Sequence, residues 1–222
     1  MGKILTNEDV ENIKHDLLST KSPKRRSAAK KIGKYLILNL GDNLFEAYQK
    51  EKLDIRTWET QVEMLTSLGK IGYTPILKEL NRIIEEHKIN YPTIITSASL
   101  AYVRIMRNDI NDATPILDLL EYREKAILNG ATKALAFDDM IPSNEQINKI
   151  LKKIEGMEVE LNKSYIKGTF DPREYILSAI SHWDRSNIDI VSFIQMCSKN
   201  EFLSSIPGLI DKVQKGKKIY SE

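Results

Sequence analysis

Apolar residues recur at spacings of three and four along most of this chain, and short polar turns separate the runs, which is the pattern of amphipathic helices. Val10, Ile13 and Leu17 make the first stripe. Thr6 is placed to cap it, with Asp9 at the capping-box position. Ser22-Pro23 opens a second helix, because proline at the first helical position loses no hydrogen bond. On a wheel of about 100° per residue, Ala28, Ala29, Ile32 and Leu36 share one side, and Arg26, Lys30, Lys31 and Lys34 the other. Asn39-Leu40-Gly41 is expected to end this helix, and Asp42 to cap a partner that buries Leu44, Phe45 and Tyr48.

The pattern continues in pairs. Trp58, Val62, Leu65 and Leu68 form the next face, Gly72 suits its end, and a partner from Pro75 buries Ile76, Leu77, Leu80, Ile83 and Ile84. Tyr91-Pro92 starts a helix carrying Ile95, Ala98, Ala101, Tyr102 and Ile105. A second copy of Thr-Pro-Ile-Leu, at 114–117 after 74–77, starts its partner, with Ile116, Leu117, Leu119 and Leu120 as packing residues. Another helix covers roughly 123–137. Ser143 with Gln146 then makes a capping box before Ile147, Ile150, Leu151 and Ile154. From 156 to 170 the period fails, which predicts a long loop or an irregular helix. Asp171-Pro-Arg-Glu174 is a strong start for a helix bearing Tyr175, Ile176, Ala179 and Trp183. Ser186 is placed to cap a further helix with Ile190, Val191, Ile194 and Cys197 on its stripe. Six of the seven prolines fall at or just before a proposed helix start; Pro207 interrupts the last apolar segment instead.

Small residues punctuate the first helix of each pair at Ile32-Gly33, Leu68-Gly69, Leu100-Ala101 and Leu135-Ala136, with gaps of 36, 32 and 35 residues. A period of that size in a helical chain means stacked helical hairpins. The predicted fold is therefore all-α. The expected layout is one domain over 1–222: a capping helix (1–20), four repeats (22–155), an irregular connection (156–170) and C-terminal helices (171–222).

Lys24-Arg-Arg-Ser-Ala-Ala-Lys-Lys-Ile-Gly33 resembles a HEAT repeat, whose first helix carries an arginine, an alanine three residues on, and a leucine-glycine pair. Arg25, Ala28, Ile32 and Gly33 match in order. In the second repeat Leu68 and Gly69 match, while Gln61 and Met64 replace the arginine and alanine. In the third and fourth, only Ala101 or Ala136 and an apolar partner persist. The resemblance implies an α-α superhelix of the armadillo-like kind. It also implies a scaffold or protein-binding module with another protein as partner, and it supplies no catalytic residues.

Composition narrows the chemistry. The 33 basic and 31 acidic side chains nearly cancel to a net charge of +2, so no global field drives the chain onto nucleic acid. The one cysteine excludes an intramolecular disulfide framework. No apolar run reaches about 18 residues, and the N-terminus lacks a signal-peptide core. Together these predict a cytoplasmic protein without a membrane partner. Asn162-Lys163-Ser164 fits a glycosylation acceptor, which without a secretion signal reads as coincidence.

His15, His87 and His182 fall in separate repeats, and no ligand spacing for a metal, phosphate loop or nucleophile elbow occurs, so no metal, cofactor or catalytic residue is assigned. The Asp109–Asp112 loop and Asp138-Asp139 could offer oxygens to a cation, but turn chemistry explains both. Two stretches remain. Between Lys21 and Lys34 stand seven cations and no acid, and Lys24, Arg26, Lys30, Lys31 and Lys34 form a candidate ridge for a polyanion or an acidic partner. His182-Trp-Asp-Arg185 gathers a ring, a stacking surface, a carboxylate and a cation. The DNA-alkylation-repair glycosylases are built from HEAT-like repeats, and they need aromatics and a carboxylate in a basic groove. Trp58, Trp183 and Asp184 are the residues this chain could offer, alongside His182 and Arg185. Nucleic-acid binding or repair is thus the alternative function.

Overall fold

The structure, a computed structural model, describes residues 5–206, 208–217 and 219–220. Among them are fourteen α-helices, several three-residue 3-10 turns and no strand. Helix accounts for 74% of the described residues, so the fold is all-α. No helix among the described residues is long and apolar enough to cross a membrane. The chain divides into two compact units, 1–105 and 106–222. Pro207, which interrupts the last apolar segment, lies outside the described residues.

The first unit contains α1 (Asn7–Leu17), α2 (Ser22–Tyr35), α3 (Gly41–Glu51), α4 (Trp58–Lys70), α5 (Leu77–Glu85) and α6 (Pro92–Met106), the last residue of which belongs to the second unit. Thr6 and Asp9 close the expected capping box on α1, satisfying two orphan N–H groups. α1 then packs on α2 and α3 through Ile13 and Leu17. α2 lies on α4, and α4 meets α6 where a Cβ on Gly69 would fall 2.6 Å from the Cα of Ala101. A Cβ on Gly33 would likewise fall 2.6 Å from Ser67 Oγ, where α2 approaches α4. Both glycines are helical, so what they supply is clearance between helices rather than an unusual backbone.

The residues eight positions before these glycines also share a task. Arg25 donates to the carbonyl of Ser19 at 2.7 Å, and Gln61 to that of Asp54 at 3.0 Å. Each pins the loop that enters its own helix. Arg25 also binds Glu51, which takes a further bond from Ser22 Oγ at 2.8 Å. Burial alone would raise the Glu51 pKa, but these donors hold its carboxyl below the ordinary value.

Several expectations for this unit need correction. α2 ends at Tyr35, not at Gly41, because Leu36 takes the left-handed conformation (φ 50°, ψ 50°) and leaves the apolar face, 57% exposed. Asp42 does not cap α3. The helix already begins at Gly41, and Asp42 instead accepts from the Tyr73 hydroxyl at 2.5 Å. Trp58 is 38% exposed at the first position of α4; the buried face begins with Thr60 and Gln61.

The second unit contains α7 (Thr114–Leu119), α8 (Lys125–Phe137), α9 (Asn144–Glu155), α10 (Glu158–Lys163), α11 (Pro172–Ala179), α12 (Ile188–Lys199), α13 (Glu201–Ser204) and α14 (Leu209–Gln214). α8 lies along α11, and α12 packs on α9. The boxes at Ser143/Gln146 and Asp171/Glu174 both form, and Ile147, Ile150, Leu151 and Ile154 are all buried. The aperiodic stretch resolves into α10 and a loop. Asn187, not Ser186, caps α12, since its side chain is the one that accepts from Asp189 N. On that helix Phe193 is buried in place of Val191, which is exposed.

Candidate functional site

The basic ridge stands on α2, whose buried side is made of Ala28, Ala29, Ile32 and Gly33. Lys24, Lys30, Lys31 and Lys34 are exposed, as the wheel predicts. Arg26 is only half-exposed, because α4 presents Glu59 to it as an ion-pair partner. The polyanion ridge therefore loses one of its members to the fold.

At the C-terminal end of α2 the ridge meets a shallow cleft lined by Leu5, Val10, Tyr35, Leu36, Ile37 and Leu38. Lys31 stands four residues before Tyr35, on the same helix face. The Lys34 ammonium sits 5.3 Å from the Tyr35 ring centroid, within cation–π range. Leu38 is 67% exposed beside them. Sequence periodicity missed this cleft, because the stripe placed Leu36 inside and gave no reason for the left-handed residue that turns it out.

Of the alternative constellation, His182, Trp183, Asp184 and Arg185 are each engaged within the second unit. Trp58 belongs to the first unit and His182, Trp183, Asp184 and Arg185 to the second. Trp183 is buried, and its indole N–H donates to the Met140 carbonyl at 2.8 Å. His182 Nε2 lies 3.1 Å from Asp139 Oδ1. Asp184 accepts from Ser186 N and Oγ, each at 2.9 Å, and those bonds hold its carboxyl below the ordinary range. Arg185 donates to the Gln214 carbonyl at 3.0 Å and to that of Val213. Each side chain holds a turn or a neighbouring segment.

The two acidic loops are likewise committed to structure. Asp109 accepts from Asn111 N at 2.8 Å. Asp112 accepts from Asn108 N and Thr114 N, which push its pKa down to about 2. Asp138 pairs with Arg107 at 2.8 Å. Among the described residues no three His, Cys, Asp or Glu side chains gather as metal ligands would.

A buried polar cluster lies elsewhere, where sequence reasoning saw only helix signals. Asp171 and Arg173 form a fully buried bidentate pair, Nε to Oδ1 at 2.8 Å and Nη2 to Oδ2 at 2.9 Å. Asn162 accepts from Arg173 Nη1 at 2.8 Å and from Asn200 Nδ2 at 3.0 Å. Its side chain is thus a fixed member of the cluster. Burial pushes the nearby Cys197 thiol up, beyond the reach of ordinary nucleophilic chemistry.

On the other side of α11, Tyr220 donates its hydroxyl to Glu174 Oε2 at 2.6 Å and its N–H to Ser178 Oγ at 3.0 Å. Its ring packs against Phe170 and Tyr175. Burial raises the Glu174 pKa despite the Tyr220 bond, and burial lowers that of Lys125, which donates to the Ser164 carbonyl. The arrangement fastens the chain terminus onto α11. Only Tyr220's aromatic character could have signalled it, because pairing at a separation of 46 residues leaves no local pattern.

Comparison with known protein families, with curated proteins and with solved structures finds no match for this chain.

Proposed function

We propose that this protein is a non-catalytic scaffold of HEAT-like character, a superhelix of stacked helical hairpins whose surfaces dock another protein. The observation that carries the reading is a recurring pair on α2 and α4, a glycine at a close helix approach and a loop-pinning side chain eight residues before it. Gly33 and Gly69 each stand where the next helix comes close, against Ser67 and Ala101, partner positions that differ by two residues along the repeat. Arg25 and Gln61, eight residues earlier in each, tie down the entering loops. A spacing that recurs between the glycine and the hydrogen-bonding side chain supports a repeat rather than a chance bundle. Such stacks present extended surfaces, and the polar groups reviewed above serve helix ends and loops.

Affinity capture from native lysate, with and without nuclease, tests the reading. A protein partner recovered in near-stoichiometric amount after nuclease treatment is expected. Recovery that vanishes with nuclease would replace the scaffold by the nucleic-acid reading.

A further inference from the structure

We infer that the C-terminal end of α2 is a docking site for an acidic peptide segment carrying bulky apolar side chains, contributed by a partner protein. This rests on the scaffold reading and names the chemistry of its partner.

The cleft joins two features that are ordinarily kept apart. Its lining is mixed, with the side chains of Leu5, Val10, Tyr35, Leu36, Ile37 and Leu38 beside Asn39 and exposed backbone, and Leu36 and Leu38 are its exposed apolar groups. Its approach is cationic, with Lys30, Lys31 and Lys34 exposed on the last two turns of α2 and the Lys34 ammonium on the Tyr35 ring. The left-handed Leu36 holds the two together. A leucine in that conformation is disfavoured by sterics, and here it ends the helix while leaving its side chain out in the cleft. Glycine or asparagine would end the helix at lower cost, so the leucine is explained by contact rather than by capping.

Charge complementarity selects the occupant. A carboxylate-bearing segment would pair with the lysines while its apolar residues cover Leu36 and Leu38, the pattern of an amphipathic peptide in a groove. Duplex phosphates would meet the lysines but would leave the leucines uncovered. A single strand would find one aromatic ring where stacking needs several. An anionic bilayer would also draw on lysines beside exposed leucines, and vesicle binding is the outcome that would assign the surface to it.

The test uses the full-length chain and a phage-displayed library of random 16-residue peptides. Selected peptides are expected to combine several Asp or Glu with Leu, Phe or Trp. Two variants keep the fold in view: Lys30→Glu with Lys34→Glu, and Leu36→Asn, which suits the left-handed position. Each is expected to weaken the selected peptides by roughly tenfold or more, in the range of interface charge and anchor losses, with an unfolding midpoint no lower than that of the parent. Absence of enrichment, enrichment of non-acidic peptides, or unchanged affinity in both variants would overturn the proposal. So would preferential binding to duplex DNA or to phosphatidylserine vesicles, lost in the lysine variant. A partner captured from lysate that ignores both variants would remove this site and leave the scaffold standing. The absence of any nuclease-resistant partner would remove the scaffold itself.

Discussion

A methyl group at position 69 would lie 2.6 Å from the Ala101 Cα and 2.8 Å from its Cβ. Backbone cannot rotate away, so α4 and α6 would have to separate. Helix propensity argues the opposite way, since Ala is about 1 kcal/mol better than Gly inside a helix. Overpacking of this kind costs roughly 1–3 kcal/mol, and Gly69→Ala is expected to lower the chemical-denaturation midpoint despite that gain. At Gly33 the added carbon meets Ser67 Oγ first, a side-chain atom with some freedom, so Gly33→Ala is expected to cost less. A higher midpoint for Gly69→Ala would show that the contact does not constrain the stack. The small residues were legible from their spacing alone. The difference between the two positions was not, because it depends on which atom of the neighbour stands opposite.

Trp183 makes a second residue-scale case. Its indole N–H satisfies the Met140 carbonyl inside the core. Trp183→Phe is expected to destabilise the protein by about 1–3 kcal/mol, the cost of a buried polar group left without its partner, on top of any cavity. Equal stability by denaturant titration would mean that the carbonyl finds another donor.

At the scale of elements, two carboxylates give opposite pH dependences. Asp112 holds the start of the α7 segment through Asn108 N and Thr114 N. Its pKa falls to about 2 in the folded protein, below an unfolded value of about 3.9. Its contribution is therefore present above the unfolded value and is lost as pH falls through the folded one. Asp112→Asn is expected to flatten the acid limb of a stability–pH curve.

Glu174 runs the other way. Burial raises its folded pKa, so the stability linked to its protonation is full below the unfolded value and declines as pH rises through the folded one. Glu174→Gln should remove that decline. Tyr220→Phe removes a donor that favours the carboxylate, so it should raise the Glu174 pKa further, read by side-chain NMR titration. An unmoved Glu174 would show that Tyr220 does not fasten to it in solution. The capping box at Asp171–Glu174 was legible as a local motif; the terminal segment that shares Glu174 was not, since hydrophobic period and cap chemistry say nothing about distant partners.

For the molecule as a whole, the helical class and most of the core followed from periodicity, because most helices bury one stripe, although every residue of α11 is buried. The exceptions have local causes. Leu36 and Trp58 sit at helix ends, where the wheel no longer governs direction. Phe193 displaced Val191 because Ile190, Phe193 and Cys197 fall within about 60° on the helix wheel, whereas Val191 stands about 100° from Ile190. Arg173 looked like a surface cation within a cap motif, yet it is fully buried against Asp171. The basic ridge was visible as a run, but its pairing through Arg26 to Glu59 required the neighbouring helix. With that pair formed, three phosphate contacts by Lys24, Lys30 and Lys34 would give a salt slope of about −2.7 on duplex DNA. A measured slope near zero would leave these lysines to the peptide-docking role or to solvent.

The burial of Cys197 turns the only thiol of the chain into a native-state stopwatch. A maleimide or aromatic disulfide in solution can reach it only when α12 opens. Labelling in buffer should therefore run at least roughly a hundredfold slower than in denaturant, the ratio giving the free energy of that opening. Since residues 1–105 contain no cysteine, the signal comes from the second unit alone. An opening energy below the global unfolding energy would mean that α12 breathes by itself. Equality of the two would mean that the thiol reports the moment the whole second unit lets go.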